Sequence, residues 1–129
     1  MKLGVIGAGY VGLTTAVCLA SMKHEISIFD IDNEKIKCVS EKKMPFFETG
    51  LEELLEVNVS KKNLQVADDL NTLVQNTEGC FICVGTPTIN NSIDLSQIKS
   101  AVESLVTSIK NNEKKNYAIV IRSTIIPNT

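Results

Sequence analysis

Three glycines near the amino terminus, Gly7, Gly9 and Gly12, follow the spacing G-x-G-x-x-G. A glycine at the first position permits a tight turn, and one at the second lets the backbone approach a pyrophosphate. One at the third lets a helix pack closely on a strand. Asp30 stands eighteen positions after Gly12, near where an acidic side chain accepts hydrogen bonds from an adenine ribose. Together these four residues predict a dinucleotide-binding turn.

The neighbouring side chains refine this prediction. A carboxylate at Asp30 repels a 2′-phosphate, and no arginine follows within the next few residues to receive one, so NAD is favoured over NADP. Tyr10 and Val11 would supply backbone amides and a wall at the phosphate. Their alternative interpretation is first-turn packing, and the alternative for Asp30 is a solvated acid at a strand end.

Three elements must position the turn. Lys2 to Ile6 is short, apolar and rich in β-formers, as in a strand buried on both faces. Leu13 to Met22 is apolar nearly all round, which predicts a helix packed under the sheet with Cys18 buried. Glu25 to Phe29 is typical of a second strand, and it ends at Asp30. This order of strand, turn, helix, strand and acid makes a weak glycine pattern specific.

The same stretch raises the question of a membrane span. Twenty residues between Lys2 and Lys23 carry no charge, which is enough to cross a bilayer or to form a signal peptide. Glycines and threonines interrupt this apolar run, however, and the glycines cluster where a turn is expected. The sequence therefore predicts neither a membrane segment nor a leader.

The rest of the chain alternates helices with strands. We expect helices at 33–40 and 51–57, a third capped by Asp68 or Asp69, and a fourth opened by Asp94 and Gln97 as a capping box. We expect strands at 64–66, 80–84 and 117–121, with a loop at 85–93. This alternation predicts a single α/β domain, a Rossmann-type doubly wound parallel sheet in the order 3-2-1-4-5.

Composition excludes several other functions. Thirteen basic and fifteen acidic residues give a net charge of −2, with 5% aromatics, so no basic surface for nucleic acid is indicated. Four cysteines in a chain of this size indicate reduced thiols and a cytoplasmic protein. Cys80 and Cys83 form a C-x-x-C inside an apolar run, where residues three apart face opposite sides. We therefore expect core packing there, with no metal site.

Ordered sequence blocks run along nearly the whole chain: KLGVIGAGYVGLTTAVCLA, FDIDNEKI, PFFETGLEELL, FICVGTPT, DLSQI and VIRSTIIPNT. In this order and spacing they resemble the NAD-binding domain of the UDP-glucose/GDP-mannose dehydrogenase family. Members of that family oxidise the primary alcohol of a nucleotide sugar to a carboxylate with two NAD, without releasing the aldehyde. The chain departs from the pattern at Thr49, where proline is usual, and at Asn128, where glycine is usual.

The resemblance implies cofactor contacts at named positions. Val11 lies on the pyrophosphate, and the other implied contacts are Asp30 and Lys35 at the adenosine ribose and Gly85, Thr86 and Thr124 on the ribose-nicotinamide side. Thr86 and Thr124 also follow predicted strands, where ligands bind in open α/β sheets. The alternative for both is a turn-forming hydroxyl.

The resemblance also places the catalytic cysteine and its helper residues in later domains, so we expect no catalytic residue in 1–129. We expect this segment to be cut from a longer, homo-oligomeric enzyme that reaches its nucleotide sugar through absent domains. UDP-glucose is the first choice of substrate and GDP-mannose the second. Two alternatives stay open: a stand-alone NAD-sensing module, and another Rossmann dehydrogenase acting on 3-hydroxyacyl or 6-phosphogluconate substrates.

Overall fold

The computed structural model describes residues 1–127 and 129, so the departure noted at Asn128 lies outside the described residues. The strands are β1 (Lys2–Ile6), β2 (Glu25–Phe29), β3 (Leu64–Val66), β4 (Gly79–Ile82), β5 (Thr88–Ile89), β6 (Ser92–Ile93) and β7 (Ala118–Ile121). The helices are α1 (Tyr10–Ser21), α2 (Asn33–Ser40), α3 (Leu51–Ser60), α4 (Leu70–Asn76) and α5 (Ser96–Asn111).

Five of the strands form one parallel sheet in the order β3-β2-β1-β4-β7. The predicted order is confirmed, because β7 is the fifth strand of this sheet once the separate β5–β6 pair is set aside. β1 lies at the centre, with Ile6 beside Phe29 of β2 and Ile82 of β4. The carboxyl ends of these three strands therefore meet at one edge of the sheet.

Helices cover both faces of the sheet. On one face Val5 of β1 packs with Leu13 of α1 and Leu55 of α3 in a buried cluster. On the other face Ile6 and Ile82 pack with Leu105 of α5. Consecutive residues of β1 thus enter opposite clusters, as the alternation of a strand requires. The doubly wound α/β architecture predicted from the sequence is confirmed.

Aspartate side chains accept backbone hydrogen bonds at the start of three helices. Asp32 accepts a hydrogen bond from the amide of Glu34 at the start of α2. Asp69 accepts a hydrogen bond from the amide of Thr72 at 2.7 Å. Hydrogen bonding from Thr72 lowers the pKa of the Asp69 carboxyl. Asp94 likewise accepts from Ser96, but the cap position of α5 falls on Leu95. The predicted capping box of Asp94 and Gln97 is therefore wrong, because the amide of Asp94 donates to the carbonyl oxygen of Pro87 instead. The prediction for Asp69 is confirmed.

The segment after β4 contains a hairpin that the sequence analysis assigned to a loop. β5 and β6 pair antiparallel across Asn90 and Asn91, whose φ angles are 50° and 59°. Two consecutive left-handed residues make the tight turn whose twist suits a hairpin, and asparagine tolerates that conformation. β4 also ends at Ile82, two residues earlier than predicted.

Helix α1 is buried on one side only, which corrects the prediction of an all-round buried helix. Its outer face carries Tyr10 and Val11, which are 55% and 44% exposed, and Cys18 is exposed as well. The sequence pattern could not show this, because small and apolar residues stand on the outer face too. None of the helices in the described part of the chain is long and apolar enough to span a membrane.

Candidate functional site

The glycine turn joins β1 to α1 at the carboxyl edge of the sheet. Gly7 has a φ of 105°, a conformation that favours glycine. Its amide donates to the carbonyl oxygen of Phe29 at 2.8 Å. A Cβ atom at Gly7 would lie 2.7 Å from the carbonyl oxygen of Cys83. Gly7 is therefore required both by the turn and by the close approach of the backbone just after β4.

Gly12 and Gly9 differ in their surroundings. A Cβ atom at Gly12 would overlap the carbonyl oxygen of Gly7, so Gly12 allows α1 to pack against the turn. A Cβ atom at Gly9 would meet no heavy atom of the described residues within 4 Å. Gly7 and Gly12 are thus required by the fold, whereas the space around Gly9 is open to a ligand.

The amino end of α1 points into this open space. Gly9 occupies the cap position, and no described side chain caps the helix. The first amides of a helix lack partners within it, and the helix dipole places partial positive charge there. Such an end binds phosphate groups. The amides of Tyr10 and Val11 lie at this end of the helix, and their contact with a pyrophosphate stays a prediction.

Asp30 adjoins the turn from the end of β2. Its Oδ2 accepts the amide of Ala8 at 2.6 Å, and its Oδ1 accepts the amide of Asp32 at 2.8 Å. The side chain is only partly buried. Asp30 is thus placed beside the glycine turn with part of its side chain accessible to solvent.

The other predicted residues lie around the same edge. Lys35 stands in α2, with its Nζ 3.8 Å from a carboxylate oxygen of Asp32. Gly85 and Thr86 follow β4, and Thr124 follows β7 in an exposed segment. The cofactor-binding roles of all the predicted site residues, these four included, stay predictions.

Two hydrogen bonds near the site were not predicted from the sequence. Ser123 donates to the carbonyl oxygen of Val84 at 2.7 Å, which ties the segment after β7 to the end of β4. The hydroxyl of Tyr10 donates to Glu48 at 2.8 Å, and its ring lies 5.2 Å from that of Phe46 between centroids. These contacts hold the loop between α2 and α3 against the first turn of α1. No local spacing could reveal a pair that lies 38 residues apart.

The hydrogen bond from Tyr10 predicts a pH-dependent loop. The bond to Glu48 and the negative charge there raise the pKa of Tyr10 above its usual value of 10.0. The bond is therefore present below pH 10 and is lost as the pH rises through the higher value. We expect a subtilisin-type protease, which stays active in alkaline solution, to cleave the loop after Phe46 and Phe47 faster above that pH.

Two variants test this loop contact. Tyr10→Phe should be cleaved fast at neutral pH and show no alkaline transition, because it keeps the ring but lacks the hydroxyl. Glu48→Gln keeps an acceptor and serves as the control, with cleavage at neutral pH close to wild type. Equal cleavage of wild type and Tyr10→Phe at neutral pH would show that the bond does not hold the loop.

The cysteines form no shared site. Cys80 and Cys83 belong to the clusters on opposite faces of the sheet, which confirms the packing interpretation. Burial raises the pKa of Cys80 to about 12 and also raises the pKa of Cys83. Thiols with raised pKa values are poor nucleophiles. Within the described residues, no three His, Cys, Asp or Glu side chains gather as candidate metal ligands.

Comparison with known sequences identifies the domain. The family described as "UDP-glucose/GDP-mannose dehydrogenase family, NAD binding domain" matches residues 1–129. The chain belongs to this family. NAD is therefore its cofactor, and both the family and the cofactor predicted from the sequence are confirmed.

Two curated relatives of the family domain act on different sugars. The chain is 34% identical over 129 residues to the UDP-glucose 6-dehydrogenase of Rhizobium meliloti (strain 1021), covering 98% of this chain and 28% of that protein. It is 35% identical over 130 residues to the GDP-mannose 6-dehydrogenase of Pseudomonas syringae pv. syringae, covering 100% and 30%. The chain thus spans less than a third of the length of these relatives.

Solved structures agree with the fold. A ternary complex of GDP-mannose dehydrogenase from Pseudomonas aeruginosa superposes with a TM-score of 0.95 and 33% identity, covering 100% of this chain and 30% of that one. A UDP-glucose dehydrogenase from the archaeon Pyrobaculum islandicum gives 0.94 and 30%, with coverage of 99% and 30%. Both are dehydrogenases, and the Rossmann-type fold is confirmed.

Proposed function

We propose that this NAD-binding domain serves a longer nucleotide-sugar 6-dehydrogenase, which oxidises the C6 alcohol of the sugar to a carboxylate with two NAD. The observation that carries the proposal is the unobstructed turn at Gly9, which leaves the uncapped amino end of α1 open beside Asp30. Membership of the family and the length of the relatives support the existence of further domains.

The residues of this domain bind and orient the cofactor in the proposed enzyme. The amides of Tyr10 and Val11 receive the pyrophosphate, and Asp30 with Lys35 holds the adenosine ribose. Turns that follow the carboxyl ends of β4 and β7, at 85–86 and at Thr124, face the nicotinamide half. When bound, NAD accepts the hydride from the alcohol carbon.

For the substrate we propose UDP-glucose, with GDP-mannose as the alternative. Relatives named for the two activities are 34% and 35% identical to this chain, so identity does not separate them. The full-length enzyme should form NADH far faster with UDP-glucose than with GDP-mannose. The reverse order would favour the alternative substrate. A full-length protein that binds NAD but oxidises neither sugar would favour the NAD-sensing module instead.

The domain alone should form no NADH from either sugar. Hydride transfer needs the sugar held against the nicotinamide by the further domains proposed above, and carboxylate formation also needs an activated thiolate. Cys80 is buried with a raised pKa. Cys18 is exposed, but it lies in the second half of α1, about two turns beyond the uncapped amino end. Replacing exposed Cys18 and half-buried Cys38 with serine should leave NAD affinity within about twofold, because neither side chain lies at the glycine turn or at Asp30.

The absorbance of NADH, followed at high protein concentration, measures turnover by the isolated domain. Titration calorimetry measures the NAD affinity of the wild-type domain and of the cysteine variants. NADH formation by the isolated domain that disappears on replacement of a cysteine would contradict the placement of the chemistry in other domains.

Cofactor preference gives a second test. We expect NAD to bind at least about tenfold more tightly than NADP, because hydrogen bonds to a charged group contribute about 1.5–3 kcal/mol and a 2′-phosphate removes them. Titration calorimetry with both cofactors measures the difference. Equal or tighter binding of NADP would contradict the role given to Asp30.

The proposal also covers the cellular location and the oligomeric state. We propose a cytoplasmic protein on the strength of four unpaired thiols in the described residues. We propose a homo-oligomer for the full-length enzyme, through segments outside this domain. Sedimentation of the full-length protein tests the second statement.

A further inference from the structure

We propose that Asp30 holds the glycine turn in its binding conformation before the cofactor arrives, in addition to contacting the ribose. Asp30 is then a positioning residue for the pyrophosphate, which it does not touch. The inference rests on the proposed binding of NAD at this turn and adds a second role for one of its residues.

Two consecutive amides anchor the turn to β2. The amide of Gly7 donates to the carbonyl oxygen of Phe29 at 2.8 Å, and the amide of Ala8 donates to Asp30 at 2.6 Å. Ala8 is fully buried, so an amide left without its acceptor there would be costly. The next residue, Gly9, begins the open part of the turn. The carboxylate thus anchors the last fixed residue before the phosphate-binding amides.

The ribose and the turn can use the same carboxylate at once. A carboxylate offers about four acceptor positions on its two oxygens. One position on Oδ2 is used by Ala8 and one on Oδ1 by Asp32. One acceptor position remains on each oxygen, and an adenosine ribose presents two hydroxyl groups. Cofactor binding therefore needs no release of the turn.

This arrangement makes asparagine a poor replacement. Both oxygens of Asp30 accept a backbone amide, so either orientation of an asparagine side chain sets its NH₂ group against an N–H. Asp30→Asn should therefore disturb either the turn at Ala8 or the start of α2 at Asp32, even with no ribose present.

Binding of two nucleotides separates the roles. ADP carries the ribose hydroxyls and 2′,3′-dideoxy-ADP lacks them, whereas both carry the diphosphate. If Asp30 also positions the turn, Asp30→Asn should weaken 2′,3′-dideoxy-ADP by at least about fivefold, since a hydrogen bond to a charged group has been lost. Unchanged affinity for 2′,3′-dideoxy-ADP would overturn the proposal, because Asp30 would then act on the ribose alone.

Asp32→Asn is the matched control. It removes the same charge two residues away, and asparagine preserves the cap of α2. Its affinity for 2′,3′-dideoxy-ADP should stay close to wild type. An equal loss in both variants would also overturn the proposal, because Asp32 does not accept the amide of Ala8 and the loss could not then be assigned to that bond. Failure of the wild-type protein to bind ADP or NAD at all would instead refute the proposed function.

A measurement on the wild-type protein decides the matter if Asp30→Asn does not fold. Scalar coupling across a hydrogen bond should be detected by NMR between the amide nitrogen of Ala8 and the carboxyl carbon of Asp30 in the nucleotide-free domain. The bond from Thr72 to Asp69, at 2.7 Å, is the internal positive control. A detected control coupling without the Ala8 coupling would overturn the proposal.

Discussion

Gly9→Val should yield a folded domain that no longer binds NAD. The added side chain meets no heavy atom of the described residues within 4 Å of its Cβ, and the backbone at Gly9 is extended. It enters the space where the pyrophosphate approaches the amino end of α1. Overpacking of about 3 kcal/mol corresponds to a loss of affinity of roughly 100-fold.

Titration calorimetry measures the NAD affinity of Gly9→Val, and thermal unfolding measures its stability. The melting temperature should fall by only about 4 °C, since a poor helix cap costs about 1 kcal/mol. Gly9→Ala is the graded control, with nearly the same stability and an intermediate affinity. Wild-type affinity in Gly9→Val would show that the phosphate turn has been placed wrongly.

Gly12→Ala should have the opposite outcome, a loss of folding stability. Its Cβ atom would overlap the carbonyl oxygen of Gly7, and it would also lie 3.2 Å from the Cβ of Cys83. The clash involves backbone, which has no alternative rotamer. We expect the free energy of unfolding to fall by about 3 kcal/mol or more, at or beyond the upper end of the usual overpacking cost.

Urea denaturation of Gly12→Ala and Gly9→Ala provides the comparison, because the two variants add the same methyl group three residues apart. The loss of stability should be about 2 kcal/mol larger in Gly12→Ala, since Gly9→Ala weakens only the helix cap. Equal stability of the two variants would mean that α1 can move away from the turn without cost, contrary to the close packing described here.

Much of the fold was predictable because its signals are local. The bounds of β1, β2 and α2 agree with the prediction, since a glycine or an acidic residue marks an end of each segment. The strand order followed from the alternation of strands and helices. The glycine turn and Asp30 were predictable as neighbours because a strand, a helix and a second strand bring them together.

The remainder depends on contacts between distant segments. Nothing near Tyr10 in the sequence indicates that Glu48 accepts its hydroxyl. The exposure of Cys18 was missed because apolar residues occur on both sides of α1, and only the packed structure shows which side the sheet covers. The hairpin at Asn90 was missed because its strands are only two residues long.

The two bonds of Asp30 also bear on how coenzyme preference could be redesigned. A common idea for moving a dehydrogenase from NAD to NADP is to exchange the acidic residue for a small neutral one, so that a 2′-phosphate has room. Here that exchange would remove the acceptor for the buried amide of Ala8 as well. A usable design must therefore supply a new acceptor for this amide together with a cation for the phosphate. Single substitutions at this position should lose NAD without gaining NADP.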